Sequence, residues 1–156
     1  MASNQKNPIF VETNRIQINA SPMKVCRRET FNAAHRLFRP EWSDEKNLEI
    51  FGKCSHPNYH GHNYALEIWV EGEIDPETGF VIDLKELKRI IHASVTDRFD
   101  HRNLNLDCPE FDGIIPTTEN IAKVIWGILR EQLDPSLGLE VQVSETEKNK
   151  VLYSGN

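Results

Sequence analysis

The sequence predicts an α+β domain in which helices pack on one face of a sheet. Three observations predict it. Period-2 alternation marks strands early in the chain and again at its end. Two amphipathic helical patterns stand between those strands, and no internal repeat or low-complexity tract interrupts the order. Strands grouped with helices in this way form a layered α+β architecture. A chain of 156 residues makes one domain and is long enough to build a core without disulfide staples.

Residues 1–22 are rich in Asn, Gln and Ser and read as a flexible extension, with Ile9-Phe10-Val11 as one marginal strand. The folded domain spans 23–156. Residues 24–36 form the first strand, with Phe31, Ala33 and His35 sharing one face because strand side chains alternate. Residues 39–59 are polar, carry Pro40, Gly52 and Pro57, and read as a long loop with one helical turn around Asp44–Ile50. The next strand puts His60, His62, Tyr64, Leu66, Ile68 and Val70 on one side and Asn63, Glu67 and Glu71 on the other. Asp75–Gly79 is a turn with Pro and Gly where turns want them, and Phe80–Ile82 a short strand after it. Asp83 caps the first helix, with Glu86 at capping-box spacing and Leu84, Leu87, Ile91 and Val95 as its apolar stripe. Residues 100–116 are irregular. Thr117 or Thr118 caps the second helix, whose stripe is Ile121, Val124, Ile125, Ile128 and Leu129. Leu139–Thr146 and Val151–Tyr153 are the closing strands.

Composition excludes several function classes. Lys and Arg total 18 against 24 Asp and Glu, a net charge of -6, which disfavours long nucleic acid as a partner. A small phosphorylated substrate, needing only a few local cations, is compatible with it. No run approaches the length of a membrane span, and the N-terminus lacks a secretory pattern. Cys26, Cys54 and Cys108 are odd in number and widely spaced, so they form neither a disulfide framework nor a zinc finger. A reducing cytoplasm is the expected location.

The chemistry concentrates around Cys54 and the pair His60-Gly61-His62. Two histidines two apart at the head of a strand project on one side and can grip one ion. Gly61 between them lets the backbone be approached closely. A catalytic zinc takes three protein ligands and keeps one position open. His35, on the apolar-patterned face of the preceding strand, is the natural third. The alternative is that some of these are ordinary half-buried histidines, which is the reading for His56 and His92. Cys54 is either the fourth ligand of a closed structural zinc or a thiolate acid/base beside a metal-bound substrate. Asp100-His101 places a carboxylate next to an imidazole, able to fix its tautomer. Glu145 shares parity with Val141 and Val143, so its carboxylate points to an apolar side. An unpaired carboxylate there is costly, and either water or a pocket partner must satisfy it. A guanidine-like edge would do so through two parallel hydrogen bonds.

Together these residues resemble the 6-pyruvoyl-tetrahydropterin synthase family, which also contains bacterial 6-carboxy-tetrahydropterin synthases of queuosine biosynthesis. The resemblance rests on Phe31–Arg36, Gly52–Cys54 with His60–Tyr64, Gly72–Pro76, Asp100–Leu104, Pro116–Asn120 and Val143–Thr146, in unbroken order from about residue 24. It implies the tunnelling fold (T-fold): an antiparallel sheet with two helices on one face, assembled into an oligomeric barrel, here a homo-hexamer of two stacked trimers. It implies Zn2+ on His35, His60 and His62, with Cys54, Asp100 and His101 as the acid/base set. Glu145 would anchor a pterin ring, helped by Thr117, Thr118 and Glu119, in a pocket shared between subunits. The implied substrate is 7,8-dihydroneopterin triphosphate, and Arg27, Arg28, Arg36 and Lys53 are unranked candidates to meet its triphosphate. The five residues between Cys54 and His60 resemble the 6-pyruvoyl type of tetrahydrobiopterin biosynthesis. A 6-carboxy product, a non-catalytic zinc module and a related T-fold enzyme acting on another purine-like ring are the alternatives.

Overall fold

A computed structural model describes residues 21–155. The expected extension, including Ile9-Phe10-Val11, therefore lies outside the described residues apart from Ser21 and Pro22. Strand β1 (Met23–His35) pairs antiparallel with β2 (His60–Gly72) over its whole length, from Met23 opposite Gly72 to His35 opposite His60. Strand β4 (Gly138–Ser144) pairs antiparallel with the other side of β2, and β5 (Lys150–Tyr153) with β4. The short β3 (Arg102–Asn103) pairs with β1 at Ala33 and Ala34, giving the order β3-β1-β2-β4-β5. That two-residue bridge is parallel, so the expected antiparallel sheet has one small exception.

One face of the sheet builds the core. Phe31 and Ala33 of β1, Tyr64, Leu66, Ile68 and Val70 of β2, and Leu139, Val141 and Val143 of β4 are all buried. The alternation of apolar and polar residues thus translates directly into an inside and an outside. Helices α2 (Leu84–Ile91) and α4 (Thr118–Arg130) cover that face through Leu87, Ile91, Ile121, Ala122, Ile125 and Leu129. Phe31 stacks on Tyr64 with ring centroids 5.0 Å apart. Burial of this kind contributes about 25 cal/mol for each Å² of apolar surface removed from water. At the end of α4 the Arg130 guanidinium donates to the carbonyls of Leu133, Asp134 and Leu137, tying the helix exit to the approach of β4.

Several expectations are corrected. Phe80–Ile82 is not a strand. The Asp75 amide donates to the Phe80 carbonyl and closes the turn. The β2 edge beyond it is already taken, because β4 pairs with β2 as far as Gly138 opposite Glu71. Val81 and Ile82 instead pack on the core without a ladder. Leu84 drops out of its helical stripe and is exposed, since it is the first helical residue. Asp83 does cap α2, accepting from the Lys85 amide, but Glu86 pairs with Arg89 rather than closing a capping box. After α2 the helix widens into a π segment at His92–Thr96 and ends in the single turn α3 (Asp97–Phe99). The widening keeps Val95 and Phe99 buried.

The stretch expected to be mostly loop is more ordered than its polarity suggests. Helix α1 (Asp44–Phe51) runs into a 3-10 turn at Gly52–Ser55. The cause is Asn47, a buried polar residue whose amide donates to the carbonyls of Arg39, Trp42 and Ser43 and accepts from the Arg39 amide. A buried amide with its hydrogen bonds satisfied organises the chain around it.

Candidate active site

Register creates the histidine cluster. His35 is the last residue of β1 and lies directly opposite His60, the first of β2; His62 sits two residues on, opposite Ala33. All three point to the core side, at the open end of the sheet. An added Cβ on Gly61 would lie 3.3 Å from the Ala33 carbonyl oxygen, a tight fit that favours glycine. One ring nitrogen from each of the three imidazoles lies within 4.8 Å of the others. His35 Nε2 and His60 Nε2 are 3.0 Å apart.

The partners of His35 define its tautomer. It is fully buried, and its Nδ1 donates to the Pro116 carbonyl at 2.8 Å. The Tyr64 hydroxyl lies 3.3 Å from the same nitrogen. With Nδ1 protonated, Nε2 presents a lone pair toward His60. Two lone pairs at that separation repel unless a proton or a cation lies between them. Burial lowers the pKa of His35 against the opposing Pro116 bond, and burial followed by the neighbouring His62 lowers that of His60. Both shifts favour the neutral ring, the form in which an imidazole binds a metal. His62 Nε2 is buried without a hydrogen-bond partner.

The cluster fits a zinc-type ion. Nitrogens 2.0–2.1 Å from one tetrahedral ion stand about 3.4 Å apart; the His35–His60 pair at 3.0 Å is near that value, and all three nitrogens lie within 4.8 Å of one another. A ring nitrogen bonded to a backbone carbonyl is the usual outer support of such a ligand. Cys54 is not part of the converging group among the described residues. The donor set is therefore three imidazoles, without the thiolate that a closed four-ligand structural site would need.

Beside the cluster lies a cavity of about 540 Å³ lined by Cys54, Thr117, Thr118, Glu119 and Glu145, with Lys148 and Lys150 at its rim. Every residue expected to hold the ring, together with the expected thiol, thus faces one space. Glu145 follows the last residue of β4, and its amide donates to the Asn149 carbonyl across the turn into β5. Its Oε1 lies 3.5 Å from His35 Nε2 and 3.6 Å from His62 Nε2. Its carboxylate is thus at a strand end and in a pocket at once, which answers its odd parity. Cys54 is placed by the 3-10 turn, and its carbonyl accepts from the Leu37 amide at 2.9 Å. Burial, and then the charge of Glu145, pushes its thiol pKa up. Thr117 caps α4 by accepting from the Asn120 amide, so it is the cap and Thr118 the first helical residue.

Asp100 and His101 are not among the residues lining this cavity. Asp100 Oδ1 accepts from the Asn32 amide at 2.6 Å, and the His101 amide donates to the Asn32 carbonyl at 2.6 Å. The Asn32 bond, ahead of the His101 contact, lowers the Asp100 pKa. His101 Nδ1 lies 2.8 Å from Asp100 Oδ2, and the ring is 83% exposed on a backbone with φ of 59°. A left-handed backbone is uncommon for a residue other than glycine. Here two hydrogen bonds to β1 hold it, so the imidazole is presented outward from its own chain.

Some contributors were not readable from residue types. The Pro116 carbonyl carries no sequence signal as a support for His35. Tyr64 sits on the parity of His60 and His62, and by residue type it reads as part of the apolar stripe. Lys148 and Lys150 follow Glu145 closely on a tight turn, and that spacing was the available signal.

Fold and site together define a class: an α+β protein with three converging imidazoles able to hold a metal ion beside a small-molecule cavity. The chain belongs to the 6-pyruvoyl tetrahydropterin synthase family, whose model matches residues 24–156. It is 46% identical over 132 residues to 6-pyruvoyl tetrahydrobiopterin synthase of Homo sapiens, covering 85% of this chain and 91% of that protein. Against the enzyme of that name from Drosophila melanogaster it is 49% identical over 132 residues, covering 84% and 79%. The solved structure of Caenorhabditis elegans 6-pyruvoyl tetrahydropterin synthase superposes with a TM-score of 0.82 at 37% identity, covering 88% of this chain and 98% of that one. Among the described residues no helix is long and apolar enough to cross a membrane.

Proposed function

We propose that this chain is a zinc-dependent carbon–oxygen lyase. It converts 7,8-dihydroneopterin triphosphate to 6-pyruvoyl-tetrahydropterin and releases inorganic triphosphate. The observation that carries the reading is the convergence of three imidazoles beside the Cys54 and Glu145 cavity. Similarity to synthases of this name over most of the chain supports it.

Each residue then has a task. Glu145 accepts two parallel hydrogen bonds from the amine and ring N–H of the pterin, while Thr117, Thr118 and Glu119 contact the rest of the ring edge. His35, His60 and His62 would hold the ion, which when bound supplies Lewis acidity to the hydroxyls of the side chain. Cys54 removes and returns protons at the side-chain carbons, a role that asks for a thiol close to the ring rather than on the metal. Hydrogen is redistributed within the substrate as triphosphate leaves, so no external oxidant or reductant enters.

Asp100 and His101 complete the acid/base set from a neighbouring subunit. Their outward presentation supports this, as does the sheet face opposite the helices. That face carries Cys26, Arg28 and Asn32 of β1 with Asn63, Glu67 and Trp69 of β2, and neither α2 nor α4 covers it. A homo-hexamer of two stacked trimers, with barrel walls made of such sheets, fits this arrangement. Three free thiols fit a reducing cytoplasm. Mass spectrometry of the pterin product, with triphosphate measured in parallel, tests the reading. A pyruvoyl side chain supports it. A carboxylate at the same position would assign the 6-carboxy reaction instead.

A further inference from the structure

The substrate just proposed has two ends, and two of the cavities adjoin the histidine cluster. The Gly52–Ser55 turn separates them. Cys54 faces the Glu145 cavity, while its neighbours Lys53 and Ser55 line a second space of about 580 Å³. His60 also lines the second space, so the histidine cluster stands at the junction of the two. Arg36 and His56 complete its polar wall, and Asp44 is its one acid.

Among the described arginines, Arg36 shares the lack of an acidic partner with Arg130 and with Arg102, which is exposed and lines a different cavity. Arg27, Arg28, Arg39, Arg89 and Arg98 each pair with a carboxylate, and Arg130 is occupied by backbone carbonyls. Arg36 is half-buried and held in place from two sides. Its Nε donates to the Ser55 carbonyl at 2.7 Å, and its guanidinium carbon lies 4.1 Å from the centroid of the Phe38 ring. Among the described residues its two terminal nitrogens donate to nothing, and it makes no ion pair. A pre-positioned guanidinium with free forks is suited to a phosphate oxygen pair. Lys53 is exposed on the same wall and likewise has no carboxylate partner among the described residues. Arg27 and Arg28, by contrast, are already neutralised on the sheet by Glu29 and Glu67.

We infer that Arg36 and Lys53 form the triphosphate subsite, with the pterin ring on the Glu145 side of the cluster and the polyphosphate on the other. This rests on the function proposed above. The three-carbon tail of the substrate then crosses the histidine cluster, which puts its hydroxyls at the ligands. The subsite also explains how an acidic chain accepts a highly charged anion: one pre-oriented arginine and one lysine oppose it locally.

The test compares neopterin with neopterin triphosphate by isothermal titration on the zinc-loaded full chain. The unaltered protein should prefer the triphosphate form strongly. A charge-assisted contact carries about 1.5–3 kcal/mol, so Arg36→Gln should reduce that preference roughly 10–100-fold and Lys53→Gln several-fold. Neopterin itself should bind Lys53→Gln as it binds the unaltered chain. Lys53 is exposed, so that variant reports even where Arg36→Gln disturbs the fold through its Ser55 bond. Equal affinity of the unaltered protein for both ligands would overturn the subsite and leave ring recognition standing. So would an unchanged preference in both variants. Binding of neither ligand would count against the proposed function, and the subsite would fall with it.

Discussion

Replacing Glu145 with Gln separates two roles that the geometry allows for this carboxylate. Oε1 lies 3.5 Å from His35 Nε2 and 3.6 Å from His62 Nε2, near enough for Glu145 to be a metal neighbour. It also faces the cavity with Thr117, Thr118 and Glu119, where it would grip a ring. In the second role, Gln keeps one acceptor but turns an NH2 toward a ring donor. One charge-assisted bond is lost and a donor is left unmatched, a cost of about 2–3 kcal/mol. At about 1.4 kcal/mol per decade, neopterin binding should weaken roughly 30–150-fold. Titration calorimetry measures this, and zinc content by atomic emission is taken on the same samples. We expect the weakened ring binding with zinc retained, because the three imidazoles suffice to hold it. Unchanged neopterin affinity together with loss of zinc would refute the assignment and make Glu145 a ligand.

Other outcomes follow from the same structure. Cys54→Ala should keep the fold and about one zinc per chain while turnover falls by a factor on the order of 100 or more, as expected for removal of a positioned proton carrier; loss of metal together with structure would show Cys54 to be a ligand. Thr117→Ala should lower stability by about 1 kcal/mol in urea denaturation, because the cap that accepts from the Asn120 amide is gone; an unchanged midpoint would contradict the capping role. Metal-free protein should lose stability as pH falls. His35 and His60 have folded pKa values below the ordinary 6.5, so the unfolded chain takes up protons first. Their contribution is full above about 6.5, declines as pH drops through that value, and levels off below the folded values. A denaturation midpoint higher at pH 5.5 than at pH 7.5 would be the wrong sign.

The sheet was legible because burial follows parity. The apolar side of His60–Val70 is the buried side of β2, with Tyr64, Leu66, Ile68 and Val70 inside. The histidine trio was legible for the same reason, since strand geometry puts His60 and His62 on one side and only an adjacent strand could supply His35. Phe80–Ile82 misled because its apolar residues do pack on the core, yet no strand edge was open to receive them. Loop 39–59 misled in the opposite direction: its order depends on one buried amide, Asn47, and polarity alone does not distinguish a buried Asn from a wet one. Asp100 and His101 could be noticed as a pair from sequence. Their separation from the Cys54 cavity within one chain depends on the β1–β3 bridge, which is only two residues long and below what a pattern can reveal.

The central claim is that His35, His60 and His62 together hold one ion that the reaction needs. Metal analysis of the purified chain and of His60→Ala, paired with triphosphate release before and after chelation, tests it most directly. The account predicts about one zinc per chain, little or none in His60→Ala, and turnover that vanishes with the metal and returns when zinc is restored. Full-rate triphosphate release from metal-free protein, or an unchanged zinc content in His60→Ala, would contradict it.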